Sequence, residues 1–144
     1  MSSGRFAIAA ARFNESVVRR LVEGAQGYFA KERLDHELTW VPGAFELPLI
    51  SKVLAGSGRY LAVVCLGAVI RGETPHFDLV AQEAARGIMQ VGLDTGVPVV
   101  FGVLTTDTIE QAMERSGGTH GNKGWDAAAA AAQMSVALRE VGVP

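Results

Sequence analysis

Four runs of apolar residues divide the chain, and three of them are nearly continuous rather than alternating with polar positions. They are residues 5–11 (RFAIAAA), 36–41 (HELTWV), 61–67 (LAVVCLG) and 97–104 (VPVVFGVL). Continuous apolar runs of this length are typical of parallel strands that helices cover on both faces. The pattern therefore predicts four parallel strands at these positions.

Helical periodicity fills the segments that separate and follow these strands. Apolar residues recur three and four positions apart from Val18 to Phe29 and again from Phe77 to Val91. The predicted helices cover residues 15–33, 46–56, 75–95, 108–116 and 122–141. The order predicts an α/β fold of the flavodoxin-like type: a three-layer sandwich, with a four-stranded parallel sheet and helices on both faces. One domain over residues 1–144 accounts for the whole pattern.

Local signals refine two of these helices. Asp107 and Glu110 have the spacing of a capping box at the start of the helix at 108–116. Six consecutive alanines, residues 127–132, lie in the last helix. Alanine is the best helix former and adds no bulk, so we expect that helix to pack closely against its neighbours.

Composition and charge exclude several classes of protein. The chain has 144 residues, 49% of them hydrophobic and 19% charged, which is enough for a substantial core. A net charge of −2 gives no basis for a nucleic-acid partner. The apolar run near the N-terminus is too short for a secretory signal, and no apolar stretch reaches the roughly 18 residues of a membrane span. We expect a cytoplasmic protein.

The cysteine and histidine content bears on metal and redox chemistry. Cys65 is the single cysteine, lies inside an apolar run, and is predicted to be buried and inert. Three scattered histidines and one cysteine do not form a cluster of metal ligands, so we expect no metal.

The most distinctive residues follow the strands directly. RFNE follows the first strand, PGAFELP the second, GAVIRGETPHF the third and TTDT the fourth. Parallel strands end at one edge of their sheet, and ligands bind in the crevice at that edge. The sequence therefore predicts that these four segments meet at one binding site.

The segment from Gly67 to Thr74 differs from a P-loop at one position, because Glu73 stands where the P-loop has its lysine. Thr74 and Pro75 predict the cap and first residue of a helix, with Gly72 allowing a close approach or a positive φ. A helix N-terminus can bind an anion through its free N–H groups. The missing lysine favours one phosphate over a triphosphate; the alternative is a turn that binds nothing.

Two charged or titratable residues are candidates beside this turn. His76 lies in the first helical turn, where it could transfer protons to and from a bound ligand, or be a surface histidine. Arg115 could supply the charge that the missing lysine does not, because arginine pairs well with phosphate oxygens. The alternative for Arg115 is a solvated side chain near a helix C-terminus.

The remaining candidates have competing structural explanations. Phe13 could stack on a flat heterocycle or belong to the core, and Phe101 is more typical of the core. Asn14 is predicted to cap the helix at 15–33. Glu46 lies in a turn between two prolines, where it could bind a polyol or simply favour the start of a helix.

Taken together, these motifs resemble those of the lumazine synthase family. RFN, VPGAFELP, LGAVIRGETPHFDLV, GVLTTDTIEQAMERSG and GNKG have the family's order and spacing, over roughly residues 5–140. The resemblance implies condensation of 5-amino-6-(D-ribitylamino)uracil with 3,4-dihydroxy-2-butanone 4-phosphate to 6,7-dimethyl-8-ribityllumazine, with loss of phosphate and water. It implies small-molecule substrates and neither a metal nor a redox cofactor.

The resemblance also implies roles for individual residues. Contacts to the pyrimidine substrate fall on Phe13, Ala44, Phe45, Glu46, Ala68, Val69, Ile70, Phe101 and Lys123. Within that set, Phe13 would stack on the pyrimidine and Glu46 would bind the ribityl hydroxyls. Contacts to the butanone phosphate fall on Glu73, Thr74 and Arg115, and proton transfer falls on His76.

Family members are homo-oligomers: pentamers, some of which assemble into a hollow shell. Their active sites lie between neighbouring subunits, so Phe13 and Phe101 would face each other from different chains. The sequence leaves pentamer and shell open. It departs from many members at Thr119 and His120, where those members have a lysine shortly before GNKG. A ligand-binding protein without turnover and a purely structural shell protein are the alternatives to an enzyme.

Overall fold

A computed structural model describes residues 4–142. The major elements are β1 (Phe6–Ala11), α1 (Glu15–Lys31), β2 (His36–Val41), α2 (Leu47–Gly56), β3 (Ala62–Ile70), α3 (His76–Thr95), β4 (Val99–Thr106), α4 (Ile109–Glu114) and α5 (Lys123–Glu140). A short 3₁₀ helix, Ala44–Glu46, precedes α2, and a small hairpin of β5 (Ser116–Gly118) and β6 (Gly121–Asn122) precedes α5.

The main sheet has the strand order β2-β1-β3-β4, and each neighbouring pair is parallel. The predicted α/β class and its four parallel strands are therefore confirmed. All residues of the inner strand β1 are buried, whereas those of the edge strand β2 are only half-buried. This difference explains why β1 is continuously apolar and β2 contains polar residues.

Helices cover both faces of this sheet, which confirms the three-layer arrangement. Successive residues of β1 point to opposite faces. Ile8 belongs to a core cluster that also contains Leu21 of α1 and Ala128 of α5. Its neighbour Ala9 belongs to a second cluster, with Leu47 of α2 and Ile88 of α3. Among residues 4–142, no helix is long and apolar enough to cross a membrane.

Helices α1 and α5 approach closely because both have small residues at their contact. Ala127, Ala128 and Ala131 are buried, which confirms the close packing predicted for the alanine run. A Cβ atom at Gly124 would overlap the backbone carbonyl of Leu21. The first turn of α5 therefore lies directly on α1, and this contact sets the position of Lys123.

Cys65 is fully buried, as predicted. Burial raises the pKa of its thiol to about 12. A thiol held in this way stays protonated at physiological pH and is a poor nucleophile.

Two helix caps differ from the sequence prediction. The capping box of α4 is formed by Thr108 and Gln111, one residue later than predicted: Gln111 N donates to Thr108 Oγ1 at 3.1 Å. Asn14 does not cap α1 with its side chain. Its φ of 63° is left-handed, and its Nδ2 donates to the Ala68 carbonyl at 2.8 Å. Asn14 thus ties the loop after β1 to β3 instead.

The start of α3 and the end of β3 also differ from prediction. Helix α3 begins at His76, with Pro75 in the cap position and no side-chain cap from Thr74. Strand β3 continues to Ile70 instead of ending at Gly67, because each residue up to Ile70 pairs with β4. The predicted helix over 108–116 ends at Glu114, where the hairpin begins.

A polar cluster at the amino end of the sheet links β1, β2 and the start of β3. Glu37 accepts hydrogen bonds from Arg5 at 2.9 Å, from Arg59 at 3.0 Å and from the Tyr60 hydroxyl. The Tyr60 hydrogen bond, with both arginines, lowers the pKa of Glu37. Burial and the same hydrogen bond raise the pKa of Tyr60.

The lowered pKa of Glu37 gives a prediction for stability in acid. A carboxyl with a depressed folded-state pKa stabilises the fold above its unfolded pKa, and loses this contribution as the pH falls through the folded value. We expect Glu37→Gln to be less stable than the unsubstituted protein at pH 7. The difference in melting temperature should shrink steadily on acidification. Glu32→Gln, at an exposed glutamate, should show no such convergence; a pH-independent difference for Glu37→Gln would contradict the assignment.

The contact between α1 and α5 gives a second prediction. Gly124→Ala should destabilise the fold by about 1–3 kcal/mol, because the added methyl group must displace backbone. Gly27→Ala is the matched control, since its Cβ would lie 3.6 Å from the Trp125 ring, at ordinary contact distance. That control should be neutral or slightly stabilising. Urea unfolding measures both, and equal effects would contradict the packing argument.

Candidate active site

The loops after the strands continue the pairing of the sheet. Beyond β1, Arg12 N donates to Val41 O at 2.8 Å and Phe13 N to Pro42 O at 3.0 Å. Beyond β3, Arg71 N donates to Thr106 O at 2.9 Å. The segments that follow the four strands are therefore brought together at one edge of the sheet, as the sequence predicts.

One cavity at this edge, the His76 cavity, has a volume of about 760 Å³. It lies between the loop after β1, the 3₁₀ helix, the end of β3 and the start of α3. Most of the predicted site residues line it: Phe13, Ala44, Phe45, Glu46, Ala68, Val69, Ile70, Thr74 and His76. Its lining combines apolar and aromatic surface with a few polar groups, which is typical of a small-molecule site.

Two aromatic rings at this cavity are exposed to solvent. Phe13 is 72% exposed and Phe45 is 60% exposed. Phe13 is therefore not a core residue. This leaves the alternative that its ring is available for stacking. Rings exposed beside a cavity are typical of surfaces that a ligand or another chain covers.

The turn that carries Glu46 is held from both ends. Glu46 N donates to the Gly43 carbonyl at 3.1 Å, which closes the 3₁₀ helix. Ala44 is buried beneath the turn. A Cβ atom at Gly87 of α3 would come within 2.7 Å of the Pro48 ring, so α2 and α3 are in close contact here. Glu46, which lines the cavity, is consequently held in a well-packed turn.

The start of α3 forms the polar end of the same cavity. Thr74 and His76 line it, whereas Glu73 is exposed and is not among its lining residues. The first N–H groups of a helix have no partner within the helix, so this end can accept an anion. Gly72 has open space at the position of a Cβ, and its φ is not positive. The structure therefore shows neither the close backbone approach nor the positive φ that the sequence analysis considered for Gly72.

Three predicted site residues lie elsewhere, around β4. Arg115 lines two smaller cavities: one of about 560 Å³, with Phe101, and one of about 420 Å³, with Lys123. We call these two cavities together the Arg115 surface. None of Phe101, Arg115 and Lys123 lines the His76 cavity within the described chain. A single chain therefore presents the predicted site in two parts, which adjoin at Phe77.

Arg71, which the sequence interpretation did not single out, also lines the Arg115 surface. Its Nε donates to Asp107 Oδ1 at 2.8 Å, and its Nη1 is 3.8 Å from Asp78 Oδ1. Its guanidinium lies 4.5 Å from the centre of the Phe77 ring. The Asp107 hydrogen bond raises the pKa of Arg71. Arg71 thus connects the first turn of α3 to the loop after β4.

Two further polar residues, Asp126 and His120, line the cavity that Arg115 shares with Lys123. Asp126 follows Lys123 by three residues, a spacing that places both on one side of α5. This spacing from Lys123 is the feature of the sequence that could have indicated Asp126 as a site residue. Among residues 4–142, no group of three or more His, Cys, Asp or Glu side chains is placed to hold a metal ion.

The fold and the site define a class: an α/β protein whose ligand cavity, at the carboxyl edge of a parallel sheet, joins aromatic surface to a helix N-terminus and a histidine. The chain matches the model of the 6,7-dimethyl-8-ribityllumazine synthase family over residues 3–139, and it belongs to that family. It is 55% identical over 140 residues to the 6,7-dimethyl-8-ribityllumazine synthase of Syntrophus aciditrophicus (strain SB). The alignment covers 95% of this chain and 91% of that relative. The resemblance inferred from the motifs is confirmed, and the chain is an enzyme of this family.

Proposed function

We propose that this enzyme condenses 5-amino-6-(D-ribitylamino)uracil with 3,4-dihydroxy-2-butanone 4-phosphate in riboflavin biosynthesis, as a cytoplasmic homo-oligomer. The product is 6,7-dimethyl-8-ribityllumazine, and phosphate and water are released. One structural observation supports the proposal in addition to family membership. The His76 cavity brings together an exposed aromatic ring, a carboxylate, a helix N-terminus and an imidazole in one space of about 760 Å³.

The apolar side of the His76 cavity suits the pyrimidine substrate. The exposed Phe13 ring can stack on the flat heterocycle. The end of β3, from Ala68 to Ile70, supplies a narrow apolar wall. In this proposal Glu46, which shares the 3₁₀ helix with Ala44 and Phe45, binds the ribityl hydroxyls. Charged acceptors form stronger hydrogen bonds with hydroxyls than neutral ones do.

The polar side of the cavity suits the phosphate of the second substrate. The Thr74 hydroxyl and the free N–H groups at the start of α3 provide donors, and the helix dipole favours a negative charge there. Glu73 contributes through its main chain. Because its carboxylate is exposed and is not among the residues lining the cavity, it need not oppose the phosphate.

His76 is placed for the proton transfers of this reaction. Attack of the substrate amine on the ketone gives an imine, which requires proton transfers but no nucleophile from the enzyme. Elimination of phosphate follows, and donors at the anion site stabilise the leaving charge. Ring closure then occurs within one molecule. Holding the two substrates together supplies much of the rate enhancement.

A second copy of the chain completes the site in this proposal. Its Arg115 surface would cover the His76 cavity, bringing Arg115 to the phosphate and Phe101 and Lys123 to the pyrimidine. Side chains on α2 and α3 support an oligomer, because large apolar residues are exposed there: Leu49, Val53, Leu79, Met89 and Leu93. The two complementary surfaces differ from each other, so the contact is head-to-tail, and its repetition gives a ring when the rotation between copies closes. A pentamer, or a shell of pentamers, satisfies this requirement.

Product formation tests the proposed reaction directly. Purified protein mixed with both substrates should release phosphate in step with the absorbance of the lumazine. Phosphate release no faster than in a mixture without protein would reject the enzyme function. Binding of the pyrimidine without phosphate release would instead identify a ligand-binding protein.

His76→Ala should lower kcat by on the order of tenfold to a hundredfold and leave measurable activity, because the substrates are still held together. The apparent affinities should change much less than kcat. His36→Gln is the matched control, since His36 stacks on Phe29 at the start of β2. An unchanged kcat for His76→Ala would show that another group carries the proton.

A further inference from the structure

One arginine of α1 holds the segment that carries Arg115. The Nε of Arg20 donates to the carbonyl of Ser116 at 3.0 Å, and its Nη2 donates to the carbonyl of Met113 at 3.3 Å. These two acceptors lie on either side of Arg115 in the chain. Hydrogen bonds from a charged guanidinium are stronger than neutral ones, and its planar shape fixes the two acceptors relative to each other.

The Arg115 segment is short and depends for its order on contacts with the rest of the fold: Ala112 and Ser116 are buried, and the Arg115 carbonyl accepts from Lys123 N. Helix α4, Ile109–Glu114, has only six residues, and a helix of that length is not stable by itself. The Arg115 side chain bonds to Gln111 O at 3.3 Å, which is a contact within the same short segment. Arg20 reaches the last turn of α4 from outside, where a cation is favoured by the free carbonyls of the helix end.

The same residue of α1 also anchors the start of α5, through its backbone. Asn122 Nδ2 donates to the Arg20 carbonyl at 3.0 Å, and Asn122 Oδ1 accepts from Gly124 N at 2.8 Å and Trp125 N at 3.2 Å. Lys123 lies within this capped turn, and its amide donates to the Arg115 carbonyl at 2.8 Å. A substitution of the Arg20 side chain leaves the backbone anchor of Lys123 in place.

We propose that Arg20 is a positioning residue for the phosphate-bearing substrate, and that it acts by fixing the backbone on both sides of Arg115. Arg20 is half-buried and is not among the residues lining the three cavities, so it acts through Arg115 and not on the substrate. The inference rests on the proposed function, in which Arg115 pairs with that phosphate. It assigns a role to a residue of α1 that lines none of these cavities.

Steady-state kinetics of Arg20→Met test this role. The KM for the butanone phosphate should rise about tenfold, the size expected when hydrogen bonds to a charged group are lost. The KM for the pyrimidine should stay within about twofold, because the anchor of Lys123 is unchanged. Arg20→Lys should recover part of the loss, since lysine keeps the charge but cannot hold both carbonyls in a fixed fork. Arg19→Met is the matched control, because Arg19 is exposed and pairs with Glu15; neither KM should change.

Calorimetric binding of inorganic phosphate to the intact protein gives a readout without turnover. Arg20→Met and Arg115→Met should each weaken it, and adding Arg20→Met to Arg115→Met should have no further effect, because one residue acts through the other. Additive losses, equal changes in both KM values, or phosphate affinity unaffected by either single variant would overturn the inference. If Arg20→Met does not fold, Arg20→Lys replaces it in the same cycle. Failure of the proposed function is distinguishable, because the unsubstituted protein would then release no phosphate from the two substrates.

Discussion

The parallel pairing of β3 with β1 and β4 determines where the chemistry of this protein can occur. The β3–β4 pairing runs from Val63 opposite Val99 to Ile70 opposite Thr106, and Arg71 N extends it by one further bond. Because both strands end at the same edge, the start of α3 and the loop before α4 emerge side by side. Asn14 adds a link from the loop after β1 to Ala68, so a third segment is fixed to the same strand.

This geometry also explains why one chain holds the site in two parts. The His76 cavity is formed by the end of β3 and the segments after β1, β2 and β3, whereas the Arg115 surface is formed by β4 and the segments after it, together with Arg71 and one side of α3. The hydrogen bond from Arg71 to Asp107 fixes the segment after β3 to the loop after β4. The aromatic side of the cavity and the exposed residues of α2 and α3 remain open to solvent in one copy. An oligomer would resolve both features with one contact: it would cover the apolar surface and supply the missing cations.

The sequence predicted what depends on local periodicity, and was less successful where a distant partner decides the conformation. The four apolar runs located all four strands of the main sheet, and the spacing of apolar residues located the helices. Asn14 occupies the predicted cap position of α1, but its side chain does not cap the helix, because it bonds instead to the Ala68 carbonyl, which is far away in the chain. The end of β3 was placed too early, since pairing with β4 and not apolar character decides where it stops. The roles of Arg20 and Arg71 depend entirely on contacts between distant elements, so no local pattern indicates them.

The central claim is that two copies of this chain share each active site. Arg115→Met keeps the His76 cavity intact, and the double variant Glu46→Gln/His76→Ala keeps the Arg115 surface intact. When the two inactive or weakened proteins are co-expressed and purified as mixed oligomers, about a quarter of the sites should regain both intact parts, if subunits mix at random around a ring. Phosphate release should then clearly exceed the average of the two parent proteins. Activity equal to that average would contradict the shared site.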